Sequence, residues 1–452
     1  MSRTGWQITP GLLRIGLVAV GASLALPAAA RADCQVSERD GIPDGVVAPI
    51  NVGGMRKSLA NVTVGGLYLG ETFANSGGIH QGAKYDGVLW LYLNADLKKM
   101  GLWKGLCFHA DAYQIHGESI TATNVGSLMP VSNYEADPAT RLSELWVEQH
   151  LFNDLLAVKI GQLTADTEFI LSKGGGYFLN GTWGWPSLAA ADLPAGGPAY
   201  PLATPGVRVA INPTDKLGLM VAVYNGDPAG PNCTGDPQLC DDNGLDFRFD
   251  TPPLLLLEGA YKYNQKEGLA GTIKLGGWNH FDAFEHQRFD SGGLPIAVTF
   301  NSGRPLDNDW GFYGIIDQLV WRLPGSGAAK GVGVFGRVAV APSDRNLIDF
   351  YADGGVTFSG IIPHRSDDQL GIGFAYTGIS KDAHGLDLDT GLSVARSYEA
   401  LLEICYTIQL NAGWTLQPDF QYIWQPGGGV PDQAGGSVEN AAVVGARTTI
   451  NF

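Results

Sequence analysis

The chain lacks the features that identify most large enzymes and most helical membrane proteins. Beyond an apolar run near the N-terminus, the 452-residue chain has no apolar stretch of 18 or more residues, so no transmembrane helix is expected. No H-E-x-x-H or G-x-S-x-G motif occurs, and the eight histidines are scattered. The sequence therefore predicts no metal site, no cofactor and no catalytic nucleophile.

Basic residues are also scarce. The chain has 29 Lys and Arg residues against 45 Asp and Glu residues, a net charge of −16. No basic patch or Lys/Arg run stands out, so nucleic acid is not an expected partner. No Pro/Ser-rich or charged linker divides the chain, and turn-rich alternation continues to its end. A single large all-β unit fits this pattern better than two or three domains.

The N-terminus has the pattern of an export signal. Arg3 and Arg14 precede an apolar run at 15–26, and small residues follow up to Ala32. The run is too short to span a membrane, and the Ala30-Arg31-Ala32 pattern places cleavage after residue 32. We therefore expect a cleaved signal peptide (1–32), whose removal leaves 26 basic and 45 acidic residues, a net charge of −19.

Five cysteines are few for an exported protein. Cys233 and Cys240 bracket a short polar stretch, and in an oxidising compartment they would close a small loop. A metal site is the weaker alternative, because no matching His or second Cys pair lies nearby. The spacing predicts a disulfide between Cys233 and Cys240.

Alternation with a period of two recurs over segments of roughly ten residues. In the last segment one face of the strand holds Val444, Ala446, Thr448 and Ile450, and the other face holds Gly445, Arg447, Thr449 and Asn451. The chain ends there on Phe452. One apolar and one polar face suit a strand between lipid and water, although the last strand of a soluble sheet could look the same.

Two further features favour a membrane barrel over a soluble sandwich. Aromatic residues cluster near strand ends, as at membrane interfaces, and the polar faces carry charges in mid-strand. These charges are Asp111, Glu144, Glu148, Lys274, Arg337, Glu399 and Glu403. Together with the export signal they predict an all-β fold: a transmembrane antiparallel β-barrel of about sixteen strands in the bacterial outer membrane. We assign 59–452 to the barrel and 33–58 to a periplasmic or lead-in segment.

The alternation breaks for about forty residues between Leu163 and Gly206. A connection of this length is usually functional, and we expect it to fold inward. Aromatic faces stack on sugar rings while acids and amides bind hydroxyl groups, so such a loop would narrow a pore and favour neutral polyols. A surface loop whose aromatics pack on the barrel rim is the alternative. The candidate constriction residues in and beside this segment are Asp166, Glu168, Tyr177, Trp183, Trp185 and Arg208.

Ordered motifs along the chain resemble the carbohydrate-selective porins of the OprB type. They are 101–105 (GLWKG) leading into His116-Gly117, 138–146 (PATRLSELW), 161–169 (GQLTADTEF), 178–186 (FLNGTWGWP), 196–208 (GGPAYPLATPGVR), 224–228 (YNGDP), 417–423 (QPDFQYI) and 426–428 (PGG). The likeness runs from about residue 60 to the C-terminus. It implies a sixteen-stranded outer-membrane barrel that passes glucose and related sugars.

The expected function is therefore a passive carbohydrate channel and not an enzyme. A general, mildly cation-preferring porin is the main alternative, given the acidic balance. An outer-membrane barrel hydrolase or an adhesin is a weaker one. The expected partners are small neutral sugars, outer-membrane lipid and the barrel-assembly machinery, with the protein as a monomer or a homo-oligomer.

Overall fold

The computed structural model describes residues 58–59, 62–265, 268–325, 330–432 and 435–452. The predicted signal peptide (1–32) lies outside the described residues. The same holds for all but the last residue of the predicted lead-in segment (33–58). Both assignments stay predictions.

The described residues form a single antiparallel sheet. Its strands are β1 (Ser58–Leu59), β2 (Val62–Gly78), β3 (Gly82–Asp96), β4 (Leu106–Gly117), β5 (Ala139–Leu151), β6 (Leu156–Leu163), β7 (Thr204–Ile211), β8 (Leu217–Asn225), β9 (Pro253–Tyr263), β10 (Gly271–Glu285), β11 (Pro305–Arg322), β12 (Gly331–Val340), β13 (Ile348–Ser359), β14 (Gln369–Ile379), β15 (Tyr398–Asn411), β16 (Trp414–Trp424) and β17 (Glu439–Asn451).

The sheet closes on itself. Each strand from β2 to β17 pairs with its neighbours in sequence, and β17 pairs with β2 in a register that runs from Asn451 opposite Leu67 to Glu439 opposite Gly78. Phe452 extends this seam, because it exchanges two backbone hydrogen bonds of 2.9 Å with Gly66. Closure pairs both edges of each described strand from β2 to β17, which is what lipid requires of a sheet. The predicted barrel of about sixteen strands is confirmed.

The two ends of the barrel carry different connections. One end, here the turn end, has tight turns such as 152–155 and 412–413 and also holds the last residue of the chain. The other, the loop end, has the long connections 118–138, 164–203 and 226–252. Outer-membrane barrels place short turns in the periplasm and long loops outside the cell. The predicted interruption is confirmed, since β6 ends at Leu163 and β7 begins at Thr204.

Helical segments within the described residues are short and lie in the loop-end connections. They are a π-helical turn (Thr121–Val125), 3-10 turns (Gly175–Tyr177, Gly181–Trp183 and Pro194–Gly196), α1 (Ser187–Asp192), α2 (Pro237–Cys240), α3 (Ile296–Thr299), α4 (Lys381–Asp389) and α5 (Pro426–Gly429). In the part of the chain that the structure describes, we find no helix with the length and apolar character needed to cross a membrane.

Cys233 and Cys240 are joined by a disulfide. The bond closes the small loop that ends in α2, within the connection between β8 and β9. The linked segment therefore lies at the loop end, away from the strands that form the seam.

The strands alternate as the sequence predicts. On β17, Val444 points outward with 55% of its surface exposed, whereas Arg447 points inward and is 6% exposed. The outward residues of other strands are likewise apolar: Leu91, Ile160, Val223, Leu275, Phe312 and Phe374 are each more than 40% exposed. Buried charges line the inside: Glu71, Asp111, Glu144, Glu258, Arg337, Glu399, Glu403 and Arg447. This apolar-out, polar-in arrangement is typical of a barrel in lipid.

An ion pair crosses the seam where β17 meets β2. Arg447 and Glu71 lie directly opposite each other in the register, and Arg447 Nε donates to Glu71 Oε1. Both side chains are at least nine-tenths buried. Removing one partner of such a pair leaves the other charge buried without compensation.

We expect Arg447→Ala to lower the free energy of unfolding by about 3–5 kcal/mol, because Glu71 then stays buried without its cation. Urea unfolding of the refolded protein in detergent measures the change. The matched control is Lys84→Ala, whose partner Glu118 has a largely exposed side chain. A change in the Arg447→Ala variant no larger than that in the control would show that the pair does not stabilise the seam.

Candidate functional site

Two loop-end connections fold into the barrel and contact each other there. We call residues 118–138 the first inserted loop and residues 164–203 the second inserted loop. The Asn133 N–H donates to the Leu179 carbonyl and the Gly181 N–H to the Pro130 carbonyl, each at 2.8 Å. The two loops therefore form one hydrogen-bonded unit across the lumen.

A buried arginine on β12 holds the second inserted loop to the wall. Arg337 donates to the carbonyls of Ile170 and Thr182 at 2.7 Å and of Gly184 at 3.0 Å. Its charge is balanced by Asp353 on β13, which accepts from Arg337 Nε at 3.0 Å. Arginine suits this position because its planar group carries five donors and can bond several acceptors at once. One side chain thus connects both limbs of the loop.

Buried carboxylates on the wall accept from backbone N–H groups of the same loop. Glu403 accepts from the N–H groups of Leu179 at 2.6 Å and Asn180 at 3.2 Å, and from the Trp183 indole at 2.6 Å. Asp317 accepts from the Gly174 N–H at 2.9 Å. Charge-assisted bonds of this kind are stronger than neutral ones, so the path of the loop is fixed by the wall.

The first inserted loop is held in the same way, by another carboxylate of β15. Glu399 accepts from the N–H groups of Leu128 and Met129, both at 2.8 Å. Arg447 of the seam donates to Asn133 Oδ1 at 2.7 Å. The arginine that closes the barrel therefore also positions this loop.

Two cavities lie on either side of the point where the loops meet. The outer cavity, of about 210 Å³, is lined mainly by the inserted loops. The inner cavity, of about 120 Å³, extends to wall residues near the turn end, among them Leu67 and Thr449. Four residues line both cavities, and we call them the neck: Asn133, Tyr134, Leu171 and Gly184. The neck therefore lies between the two spaces.

The structure divides the six predicted constriction residues into groups. Asp166 and Trp185 line the outer cavity, and Trp183 contributes to the inner one. Tyr177 lies deeper, where its carbonyl accepts from Gln417 Nε2 at 2.8 Å. Glu168 and Arg208 pair with each other at the start of the second inserted loop. The six residues are thus not gathered around one point.

Glu168 and Arg208 belong to a compact ion network on the inner wall. Arg208 Nε donates to Glu168 Oε2 at 2.9 Å, Arg208 also contacts Glu148 at 2.9 Å, and Lys159 Nζ donates to Glu168 at 2.8 Å. Burial by itself would raise the pKa of the Glu168 carboxyl, but the charges of Lys159 and Arg208 outweigh it and lower that pKa to about 2. Two acids face two bases, so the network carries no net charge.

The two tryptophans have different environments. Trp183 is 1% exposed and packs against Phe178 with ring centroids 4.5 Å apart, so nearly all of its ring is covered by protein. Trp185 donates to the Gly196 carbonyl at 2.9 Å and keeps part of its surface on the outer cavity. Asp166 lies by the same cavity and accepts from the Tyr200 N–H at 2.9 Å.

Sequence reasoning missed the neck residues of the first inserted loop, Asn133 and Tyr134. A signal was present, because residues 118–138 also lack strand alternation. Sequence reasoning also noted the mid-strand charges Arg337, Glu399 and Glu403 but did not predict that they bond the inserted loops. Each is a single polar residue in an ordinary strand pattern, and the pattern alone does not say what it will meet.

Comparison with known proteins adds independent information. Residues 80–452 match the family model described as carbohydrate-selective porin, OprB family. Porin B of Pseudomonas aeruginosa is 24% identical over 415 residues, which cover 85% of this chain and 86% of that protein. The high-pH structure of Pseudomonas putida OprB aligns with a TM-score of 0.79 at 20% identity and covers 91% of this chain and 99% of that one. The low-pH structure aligns with a TM-score of 0.53 at 16% identity, covering 89% and 97%.

Arg337→Met should loosen the second inserted loop, because several loop carbonyls lose their donor while Asp353 loses its counter-charge. We expect noisier single-channel current and cleavage within 164–203 by added protease at least tenfold faster than in wild type. The matched control is Arg365→Met in the turn-end connection between β13 and β14, where the arginine side chain is 41% exposed. Equal cleavage rates in the two variants would contradict the anchoring role.

Proposed function

The chain belongs to the OprB family of carbohydrate-selective porins, and we propose that small neutral sugars such as glucose cross it by passive diffusion. The protein is a carbohydrate channel of the bacterial outer membrane. The sugars would pass through the outer cavity, the neck and the inner cavity in turn. The observation that carries the proposal is that two cavities inside one closed barrel share the same four lining residues. Sugars would move down their gradient without energy coupling.

Charge pairing on the inner wall supports a preference for neutral solutes. Glu168 is matched by Arg208 and Lys159, and on other strands Arg337 is matched by Asp353 and Arg447 by Glu71. Paired charges keep many donors and acceptors near the lumen but cancel much of the field that would attract an ion. A sugar can exchange hydrogen bonds there, whereas an ion gains little for the water it gives up.

The outer cavity offers the two kinds of group that sugars use. The Trp185 ring supplies an apolar face, and the Asp166 carboxylate supplies acceptors for hydroxyl groups. At the neck, the amide of Asn133 and the ring of Tyr134 repeat the combination. Several weak sites in series are what conduction needs, because a solute must bind well enough to enter and weakly enough to leave.

We also propose how the protein reaches its membrane. Residues 1–32 would act as a cleaved signal peptide, and the last strand with Phe452 would be recognised by the barrel-assembly machinery. The apolar outer face, with Val444 and Phe312 exposed, would then contact outer-membrane lipid.

Replacing Trp185 by Ala should weaken sugar block of the ion current, because the outer cavity loses its aromatic face. An aromatic contact is worth roughly 0.5–1.5 kcal/mol, so the half-blocking glucose concentration should rise roughly 2- to 12-fold. Planar-bilayer recordings with added glucose measure it. The control is Trp310→Ala on the outer face of β11, where the ring is 43% exposed. An unchanged half-blocking concentration in Trp185→Ala would remove Trp185 from the sugar path.

The same recordings separate the proposal from a general cation-preferring pore. High conductance that sugar does not block, with a reversal potential set by cations, would support that alternative instead.

Tyr134→Ala should widen the neck and let the two cavities merge. We expect higher single-channel conductance and, in liposome swelling, a larger gain for disaccharides than for glucose. Tyr422→Ala serves as the control, because that ring lies on the outward face of β16 against Trp424. If conductance and disaccharide swelling match the control, Tyr134 does not form the narrowest part of the path.

A further inference from the structure

Three side chains of types that can bind metals meet on the inner wall of β4 and β5, outside the two cavities of the proposed carbohydrate path. His109, Asp111 and Glu144 are 2%, 3% and 7% exposed. One ligand atom from each lies within 4.8 Å of the others. His109 Nε2 is 3.4 Å from Asp111 Oδ2. A histidine with two carboxylates is a donor set that suits first-row divalent metals.

The local strand geometry explains how the three side chains come together. His109 and Asp111 are two residues apart on one strand and so share its inner face. Opposite them β5 is bulged, because Ala110 pairs with Leu145 while Ala112 pairs with Leu142. The extra residue brings Glu144 opposite Asp111, and the Glu144 N–H donates to Asp111 Oδ1 at 2.7 Å. Bulges that redirect side chains are common beside functional sites.

The histidine is held in the orientation that metal ligands adopt. His109 Nδ1 lies 2.6 Å from Asn94 Oδ1 on β3. An amide oxygen only accepts, so Nδ1 carries the proton and the other nitrogen, Nε2, faces Asp111. In a neutral ring this sets a lone pair against a carboxylate oxygen. A metal ion between the two atoms turns that repulsion into two bonds.

The separation between two of the three candidate ligand atoms agrees with zinc. Zinc binds nitrogen and oxygen ligands at about 2.0–2.2 Å, and in a tetrahedron two such ligands are roughly 3.4 Å apart. His109 Nε2 and Asp111 Oδ2 are 3.4 Å apart. Two carboxylates and a neutral imidazole also supply the charge that a divalent ion needs. Lys159 does not compensate them directly, since it bonds Glu168 and lies over the Trp146 ring at 4.3 Å.

Outer partners are already in place for each ligand. Asn94 holds His109, the Trp90 indole donates to Asp111 Oδ2 at 2.8 Å, and the Thr164 N–H donates to Glu144 Oε1 at 3.0 Å. Such contacts orient ligands at metal sites and tune their affinity.

We propose that His109, Asp111 and Glu144 form a structural site for one divalent transition metal, with Zn²⁺ the best match. The fourth position would be taken by water or by the second oxygen of Glu144. Any proton on His109 Nε2 would leave to solvent as the metal binds. Thr164 is the first residue of the second inserted loop, so the ion would fix the point at which that loop leaves the wall. The site stands independently of the proposed sugar path.

The test uses the full mature chain without a polyhistidine tag. Because the site is buried, the protein is refolded into detergent either with Zn²⁺ or with a chelator, desalted, and analysed for metal by mass spectrometry. We expect one zinc per chain after refolding with Zn²⁺ and a higher melting temperature than in the chelator sample. Refolding with Co²⁺ should give the visible absorption bands of a tetrahedral site.

Variants separate this site from adventitious binding. His109→Ala and Asp111→Asn should lose the stoichiometric ion, and Asn94→Ala should bind it about 10- to 100-fold more weakly. The control His364→Ala removes an exposed histidine from a turn and should keep the full stoichiometry. Slower migration of each variant on heating in SDS gels confirms that it was folded.

Two results would overturn the proposal. Wild-type protein that refolds fully yet retains less than about a tenth of an ion per chain would show that the cluster is an imidazolium–carboxylate pair. Equal metal content in wild type and in folded His109→Ala would place the ion elsewhere. Wild-type protein answers the first question even where a variant fails to fold.

Discussion

The structure depends on one kind of contact: a charged side chain buried on the inner wall, satisfied by the backbone of an inserted loop. Arg337 bonds loop carbonyls, while Glu403 and Glu399 bond loop N–H groups. Each partner needs the other, because a buried charge without a partner and a buried backbone group without one are both expensive. The wall could not carry these charges without the loops, and the loops could not lie in the lumen without the charges.

This mutual dependence explains why the two cavities meet at a defined neck. The loops have little regular secondary structure of their own, and their longest helix, α1, has six residues. Their shape is imposed by points on several strands and by the two backbone bonds that join them, from Asn133 to Leu179 and from Gly181 to Pro130. A constriction held from several sides keeps its width better than a loop attached only at its ends.

Most of the fold could be predicted from the sequence, whereas most of the site could not. Alternation is a local property, so it assigned Val444 outward and Arg447 inward, and its loss marked the second inserted loop to within a few residues. The neck arises from contacts between residues far apart in sequence, such as Asn133 with Leu179. Trp183 shows the limit of sequence reasoning. A tryptophan that lines a pore and one that packs into the wall can stand in the same kind of sequence, and only the contacts of Trp183 with Phe178 and Glu403 distinguish the two.

The pairing of charges on the inner wall of the barrel affects the electric field that a solute meets there. The chain is strongly acidic overall, with a net charge of −16, and on that ground a cation preference would be expected. On the inner wall, however, some of the acids that would produce it are matched: Glu71 by Arg447, and Glu168 by Arg208. The field a solute meets depends on nearby unpaired charge more than on the total, since water and salt screen the rest. These pairs also hold the inserted loops in place, so the same contacts that fix the loops reduce the field that an ion would meet at the wall.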